Sequence, residues 1–141
     1  MTRNVIIDTG PLVAFVDRKD SYHAWALATW DGIEPPLLTC EPVLSEACFL
    51  LQNLSDGPAT VMELVERGVI AVKFDVESEA ARIRRLLTRY ANVPMSLADA
   101  CLVRMTELWS RGSLLTLDAD FRIYRKEGRQ VIPLLMSDNL E

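Results

Sequence analysis

Four acidic residues, Asp8, Glu46, Asp99 and Asp118, occupy settings that point to carboxylate chemistry. Asp8 directly follows the apolar run Val5-Ile6-Ile7, and Asp118 follows Leu114 to Leu117. In an open α/β sheet, sites form outside the carboxyl ends of the strands, so both belong on the same edge. Each also has a structural reading. Asp8-Thr9-Gly10-Pro11 is turn and N-cap chemistry, Asp118 suits a cap on the short helix that follows, and Asp99, three residues after Ser96, fits a capping box. Glu46 has no capping role, because it lies mid-helix with Val43, Phe49 and Leu50 at i−3, i+3 and i+4. A carboxylate in such company is costly to bury without a partner, and solvent exposure is the alternative. Asp99 lies in an otherwise uncharged segment, Leu97 to Val103, on a helix expected to face the core.

Four carboxylates converging on one pocket raise one another's pKa, and a divalent cation relieves the repulsion. Hard carboxylate oxygens suit Mg²⁺ or Mn²⁺. Zinc is disfavoured, since His23 is the single histidine and Cys40, Cys48 and Cys101 form no CxxC pair. HExxH, GxGxxG and GxxxxGK[ST] patterns are absent. An aspartyl-phosphatase site of the haloacid-dehalogenase type wants Asp-x-Asp-x-Thr after the first strand, and a receiver domain wants adjacent acids there. Asp8-Thr9-Gly10-Pro11 satisfies neither.

The elements that must position the acids follow from punctuation and periodicity. Asn4–Ile7, Leu37–Thr39, Val69–Phe74, Leu114–Leu117 and Val131-Ile132 read as short strands. Helices are expected over Gly10–Val16, His23–Trp30, Pro42–Leu54, Ala59–Arg67, Ser78–Tyr90, Ser96–Trp109 and Phe121–Tyr124. Apolar strands alternating with helices imply a parallel sheet covered on both faces. With 141 residues, 50% hydrophobic and 25% charged, the chain fits one globular domain over 1–141. The odd, scattered cysteines suggest a reducing compartment, and no run of about 20 apolar residues occurs. A cytoplasmic protein with no membrane partner is expected.

The ordered set resembles a PIN domain. It comprises Asp8 after the first strand, Glu46 in the third helix, Leu97-Ala98-Asp99-Ala100 and Thr116-Leu117-Asp118-Ala119-Asp120-Phe121. The similarity runs from Val5 to about Pro133 and is nearest to the VapC toxins, the ribonuclease halves of toxin–antitoxin pairs. It implies a helix-rich, three-layer α/β/α fold with a central parallel sheet. It further implies a metal-dependent endoribonuclease that uses one or two Mg²⁺ or Mn²⁺ ions and leaves a 5′-phosphate and a 3′-hydroxyl. Asp8, Glu46, Asp99 and Asp118 match the family's acids as catalytic residues and metal ligands. Asp120 either assists Asp118 or replaces it, and Thr9 and Thr116 match hydroxyls near the metal. His23 matches a structural segment. The family also implies a homodimer and a cognate antitoxin lying across the N-terminal helices. Trp25, Trp30, Phe49, Leu50 and Leu51 are expected mostly in the core, with some lining that groove. The alternative is a non-catalytic PIN-like module that binds RNA or protein.

The net charge of −5 argues against nucleic acid until its distribution is considered. Met1 to Ile70 holds 4 bases and 10 acids, whereas Arg82 to Arg129 holds 10 bases and 5 acids. Arg82, Arg85 and Arg89 follow helical spacing, and Arg122 and Arg125 follow Asp118. These five are candidates for contacting an RNA backbone; a solvated helix face, or pairing with the antitoxin or the other subunit, is the alternative.

Overall fold

Val5-Ile6-Ile7 carries no polar side chain because both of its faces are covered. In the computed structural model, which describes residues 1–138, all three are buried. The last three positions of the expected domain, 139–141, lie outside the described residues. The strands are β1 (Val5–Ile7), β2 (Leu37–Thr39), β3 (Ile70–Val72), β4 (Ser113–Leu115), β5 (Arg125–Lys126), β6 (Gln130–Val131) and β7 (Leu134–Leu135). The helices are α1 (Thr9–Val16), α2 (His23–Asp31), α3 (Glu41–Leu50), α4 (Gly57–Glu66), α5 (Ala80–Arg89) and α6 (Leu97–Leu108). Five strands form a parallel sheet in the order β3-β2-β1-β4-β7, and the six helices flank it. This is the PIN-like α/β/α architecture expected.

β1 is central, with Ile6 opposite Leu38 on one side and Leu114 on the other. Its side chains, together with Leu12, Leu37, Leu102, Met105, Leu114 and Leu115, are sealed in the core. α6 lies over β1 and β4, α5 packs on α6, and α1 packs on α2 and α3. The local signals are conventional. Pro42 sits in the first turn of α3, where its missing N–H would have no partner. Ser96 and Asp99 form a full capping box on α6. Arg104 ties α6 to the segment before α5 through Glu79, at 2.7 Å, and also pairs with Glu107. His23 Nδ1 contacts the Ala14 carbonyl at 2.6 Å and joins α2 to α1, in keeping with the structural role expected of it. Cys40 and Cys101 are buried, with thiols close enough to affect each other's ionisation, and are not bridged, while Cys48 is half-buried on α3.

Two expectations are corrected at the end of the chain. The helix expected over Phe121–Tyr124 is a 3₁₀ turn over Ala119–Arg122, capped by Asp118. The last parallel strand is β7, not Val131-Ile132. Glu127 and Gly128 both take positive φ and turn the chain into the antiparallel β5–β6 ribbon, which leaves Val131 two-thirds exposed. Pro133, whose carbonyl accepts from the Leu114 N–H, then leads into β7 at the sheet edge, a place where proline is tolerated. The third helix also stops at Leu50, short of the expected Leu54.

Leu114→Ala should lower unfolding stability by about 2–5 kcal/mol. Val131→Ser should change it by less than about 0.5 kcal/mol. Urea titration of the two variants checks the reassigned strand.

Candidate active site

The carboxyl ends of β1 and β4 lie side by side. Ile7 is in register with Leu115, and the Asp8 N–H donates to the Leu115 carbonyl at 3.0 Å. The chain proceeds from β1 to β2 on one side, while β4 lies on the other. The crevice between β1 and β4 is therefore the switch point of the sheet, where such folds bind ligands.

Asp8 leaves β1 at this point and caps α1. Its Oδ1 accepts the Thr9 N–H at 2.7 Å, and its Oδ2 accepts the Thr116 hydroxyl at 2.7 Å. Thr116 Oγ1 in turn accepts the Asp118 N–H at 3.0 Å, so one fully buried hydroxyl joins two of the acids. Asp118 Oδ1 accepts the Asp120 N–H at 2.9 Å. On the opposite wall, Asp99 Oδ2 accepts from the Ser96 N–H at 3.3 Å and from the Tyr124 hydroxyl at 3.1 Å. Tyr124 is sealed in the core edge-on to Tyr90 and Phe121, with ring centroids 5.0 and 5.2 Å away.

These residues enclose an open cleft of about 610 Å³. It is lined by Asp8, Thr9, Gly10, Glu46, Asp99, Asp118 and Asp120, with Leu50, Pro94, Ser96 and Leu117 between them. All five candidate acids reach this cleft, and among the described residues no lysine or arginine lines it. Gly10 permits the close approach of α1, since a Cβ there would stand 3.3 Å from Leu117 Cβ. Burial pushes the Asp8 carboxyl up to about 6, against the lowering effect of its bonds to Thr116 and Thr9; the charges of Asp99 and Asp118 push it further up. Asp99 is also raised, chiefly by burial and against its bonds to Ser96 and Tyr124. Tyr124 is raised by burial and by the adjacent Asp99 charge, so its hydroxyl stays a donor.

Several expectations change in detail. Glu46 is exposed on the cleft rim, and Phe49 and Leu50 beside it are 66% and 56% exposed, so the solvated alternative describes that helix face. Trp30 and Leu51 are in the core as expected. Asp8, Asp99 and Asp118 each cap a helix or turn, as the structural reading expects, and each also lines the cleft. Of the arginines, Arg82, Arg85 and Arg89 lie on α5 away from the cleft wall. Arg122 is exposed, and Arg125 spends its guanidinium on the carbonyls of Arg122, Ile123 and Tyr124. Tyr124 was not singled out from the sequence. Its only signal is an aromatic residue six positions after Asp118, which marks core as readily as site.

Whether a cation suits this cleft is decided by its donors. Among the described residues no three Asp, Glu, His or Cys groups converge tightly enough to form a closed cage. The acids line facing walls instead. Among the described residues, the buried Thr9 Oγ1 has no hydrogen-bond partner, and one oxygen each of Asp99 and Asp118 accepts no hydrogen bond. That donor set fits a small hard cation that keeps several waters and takes few protein ligands, which is the habit of Mg²⁺.

The PIN domain family model matches residues 5–127. The chain belongs to the PIN domain family. Ribonuclease VapC26 of Mycobacterium tuberculosis (strain ATCC 25618 / H37Rv) is 25% identical over 116 residues, which cover 81% of this chain and 86% of that protein. Among solved PIN-fold structures, Mycobacterium tuberculosis VapC20, described as a sarcin–ricin loop cleaving toxin, superposes with a TM-score of 0.75 at 21% identity. The match covers 92% of this chain and all of that one. VapBC2 from Rickettsia felis, bound to a DNA fragment from its promoter, gives a TM-score of 0.61 at 13% identity, covering 95% and 98%.

The raised Asp8 pKa in this PIN domain has a consequence for stability. Because the folded value of about 6 exceeds the ordinary 3.8, the protonated carboxyl favours folding below about pH 4, and that contribution is lost as pH rises to 6. In divalent-free buffer at about pH 7.5, Asp8→Asn should therefore be more stable than wild type, by on the order of 2 kcal/mol. The gain should vanish near pH 4. Thermal melts of both proteins across this range test the sign.

Proposed function

We propose that the chain is a metal-dependent endoribonuclease, the toxin of a VapBC-type pair, acting on RNA phosphodiester bonds. The observation that carries this reading is the cleft itself. Five carboxylates line the walls and rim of one cleft at the sheet's switch point, and among the described residues no lysine or arginine lines it and the buried Thr9 hydroxyl has no partner. Membership of the PIN family and similarity to a VapC ribonuclease support it.

Asp8, Asp99, Asp118 and Glu46 are the residues proposed to hold one or two Mg²⁺ or Mn²⁺ ions, with Asp120 assisting or replacing Asp118. When bound, such ions supply charge neutralisation at the phosphate and lower the pKa of a coordinated water. The chain's own contribution is positioning. Thr116 fixes Asp8 and the Asp118 backbone together, and Asp8 presents both oxygens from a rigid strand end. Tyr124 holds one oxygen of Asp99 and leaves the other facing the cleft. Water-mediated hydrolysis at this site leaves a 5′-phosphate and a 3′-hydroxyl. No histidine pair is required, and the single histidine, His23, is committed to α1.

A cytoplasmic location, a homodimer and a cognate antitoxin belong to the same reading. No helix among the described residues is long and apolar enough to cross a membrane. Leu27, Phe49, Leu50 and Met62 expose large apolar surface on α2, α3 and α4, the N-terminal helices on which an antitoxin segment is expected to lie.

Asp8→Asn and Glu46→Gln should each reduce Mg²⁺-dependent RNA cleavage by at least about a hundredfold while the fold persists by circular dichroism. Wild-type activity in Asp99→Asn would overturn the shared carboxylate site. Mg²⁺ or Mn²⁺ should also raise the melting temperature of the wild type, and raise it less once an acid is neutralised. A protein that binds RNA without cutting it under any divalent ion would be the non-catalytic module instead. Tyr124→Phe should cost about tenfold in divalent-ion affinity, measured by the same melts, while Asp8→Asn costs more.

A further inference from the structure

The cleft does not account for a strongly basic helix face elsewhere on the molecule. α5 carries Arg82, Arg84, Arg85 and Arg89 and no acid, in a chain whose net charge is −5. All four side chains are exposed. Among the described residues none of the four forms an ion pair; Glu79, just before α5, and Glu107, which lines a recess with Arg82, Arg85 and Arg89, are both taken by Arg104. The arginines shape two adjoining recesses. One, of about 310 Å³, is lined by Arg84, Arg85, Thr88 and Arg89; the other, of about 130 Å³, is lined by Arg82, Arg85, Leu86, Arg89 and Glu107.

The carboxyl end of α5 is connected to the cleft. The Arg89 guanidinium lies 5.1 Å over the Tyr90 ring and donates to the Gly128 carbonyl at 2.8 Å. Tyr90 abuts Tyr124, whose hydroxyl donates to Asp99. One end of the arginine row is therefore attached through two rings to a cleft wall. Arg82, Arg85 and Arg89 advance by ~4.5 and ~6 Å along the helix axis, a step suited to successive phosphates of a flexible strand.

We propose that the α5 arginine row is a phosphate track for single-stranded RNA, engaging nucleotides flanking the one whose phosphate lies in the cleft. This rests on the ribonuclease reading for its choice of polymer, and it gives that reading a substrate-binding surface outside the carboxylates. A second copy of this chain is a poor occupant, since a symmetric contact would face arginine with arginine. An acidic protein segment would match the charge but has no reason to continue from a carboxylate-lined cleft. RNA does, because the same strand that brings one phosphate to the cleft carries the next ones outward. The track acts on affinity, leaving bond cleavage to the acids.

The test is a binding measurement in EDTA, where cleavage is off, using a fluorescent unstructured RNA of about 20 nucleotides over a range of salt. Arg84→Glu/Arg85→Glu should weaken binding at least about tenfold and reduce the slope of log affinity against log salt by about 1.4, the share of two phosphate contacts on a single strand. Arg84→Gln/Arg85→Gln should give the same direction with a smaller loss, and both variants should melt as the wild type does. Reversal of Arg18 and Lys19, exposed charges away from α5, should change affinity less than about twofold. The proposal is overturned if the α5 variants bind like the Arg18/Lys19 control, if the wild type binds no RNA, or if polyglutamate of similar length displaces RNA from the wild type but not from the α5 variants. The two readings fail separately. RNA binding that depends on α5, without cleavage in Mg²⁺ or Mn²⁺, removes the ribonuclease and keeps the track. Cleavage with unaltered binding in the α5 variants does the reverse.

Discussion

The structure turns on a carboxylate held inside a hydrophobic sheet. Asp8 continues a strand whose every side chain is buried, and it is itself 8% exposed. Water is nearly excluded, so the charge must be met by protein donors, and the Thr9 N–H and the Thr116 hydroxyl supply them. The second of these bonds is possible only because β1 and β4 are parallel neighbours in register, which brings residue 8 beside residue 116. Thr116 then fixes Asp118 through its backbone. The packing of the central strands thus sets the relation between two acids 110 positions apart in the chain.

The other wall is built on a different principle. Asp99 is fixed from its own helix by the capping box and from the core behind it by the Tyr124 hydroxyl. The Tyr90, Phe121 and Tyr124 rings brace that hydroxyl, and Arg125 and the Tyr90 hydroxyl hold the segment that carries it. Lys126, nearly buried, adds a bond from Nζ to the Ser110 carbonyl. The segment between Asp118 and β6 has few regular backbone ladders. Side chains that reach back to main-chain carbonyls supply its order.

These two constructions were unequally visible in the sequence. The strand-end acids were legible because an apolar run that stops at aspartate names both the strand and its edge, and the alternation of runs with helical patterns gave the parallel sheet. Asp99 was legible as a cap, and the structure gives it a full capping box on a helix whose first turn lines the cleft. The exposure of Glu46 was not legible. Apolar neighbours on a helix imply a buried face only when another element covers them, and Phe49 and Leu50 are left uncovered among the described residues. Val131-Ile132 reads as a last strand of the parallel sheet, but a two-residue apolar run carries no register. What decided its place was the positive φ at Glu127 and Gly128, and a non-glycine residue gives little warning of that conformation. Tyr124 was hidden for a simpler reason: a buried aromatic residue and a hydrogen-bond donor to a carboxylate have the same letter.

The paired thiols have a use that their chemistry alone does not suggest. Cys40 leads into the helix that bears Glu46, and Cys101 lies one turn along the helix that bears Asp99, so their contact lies on the seam joining the two helices behind the cleft. Neither is reachable while that seam is closed, whereas Cys48 on the outer side of α3 is partly open to solvent. An alkylating reagent therefore meets one fast site and two slow ones. The slow rate is a clock for local opening of the seam, a motion that helix content alone would not register.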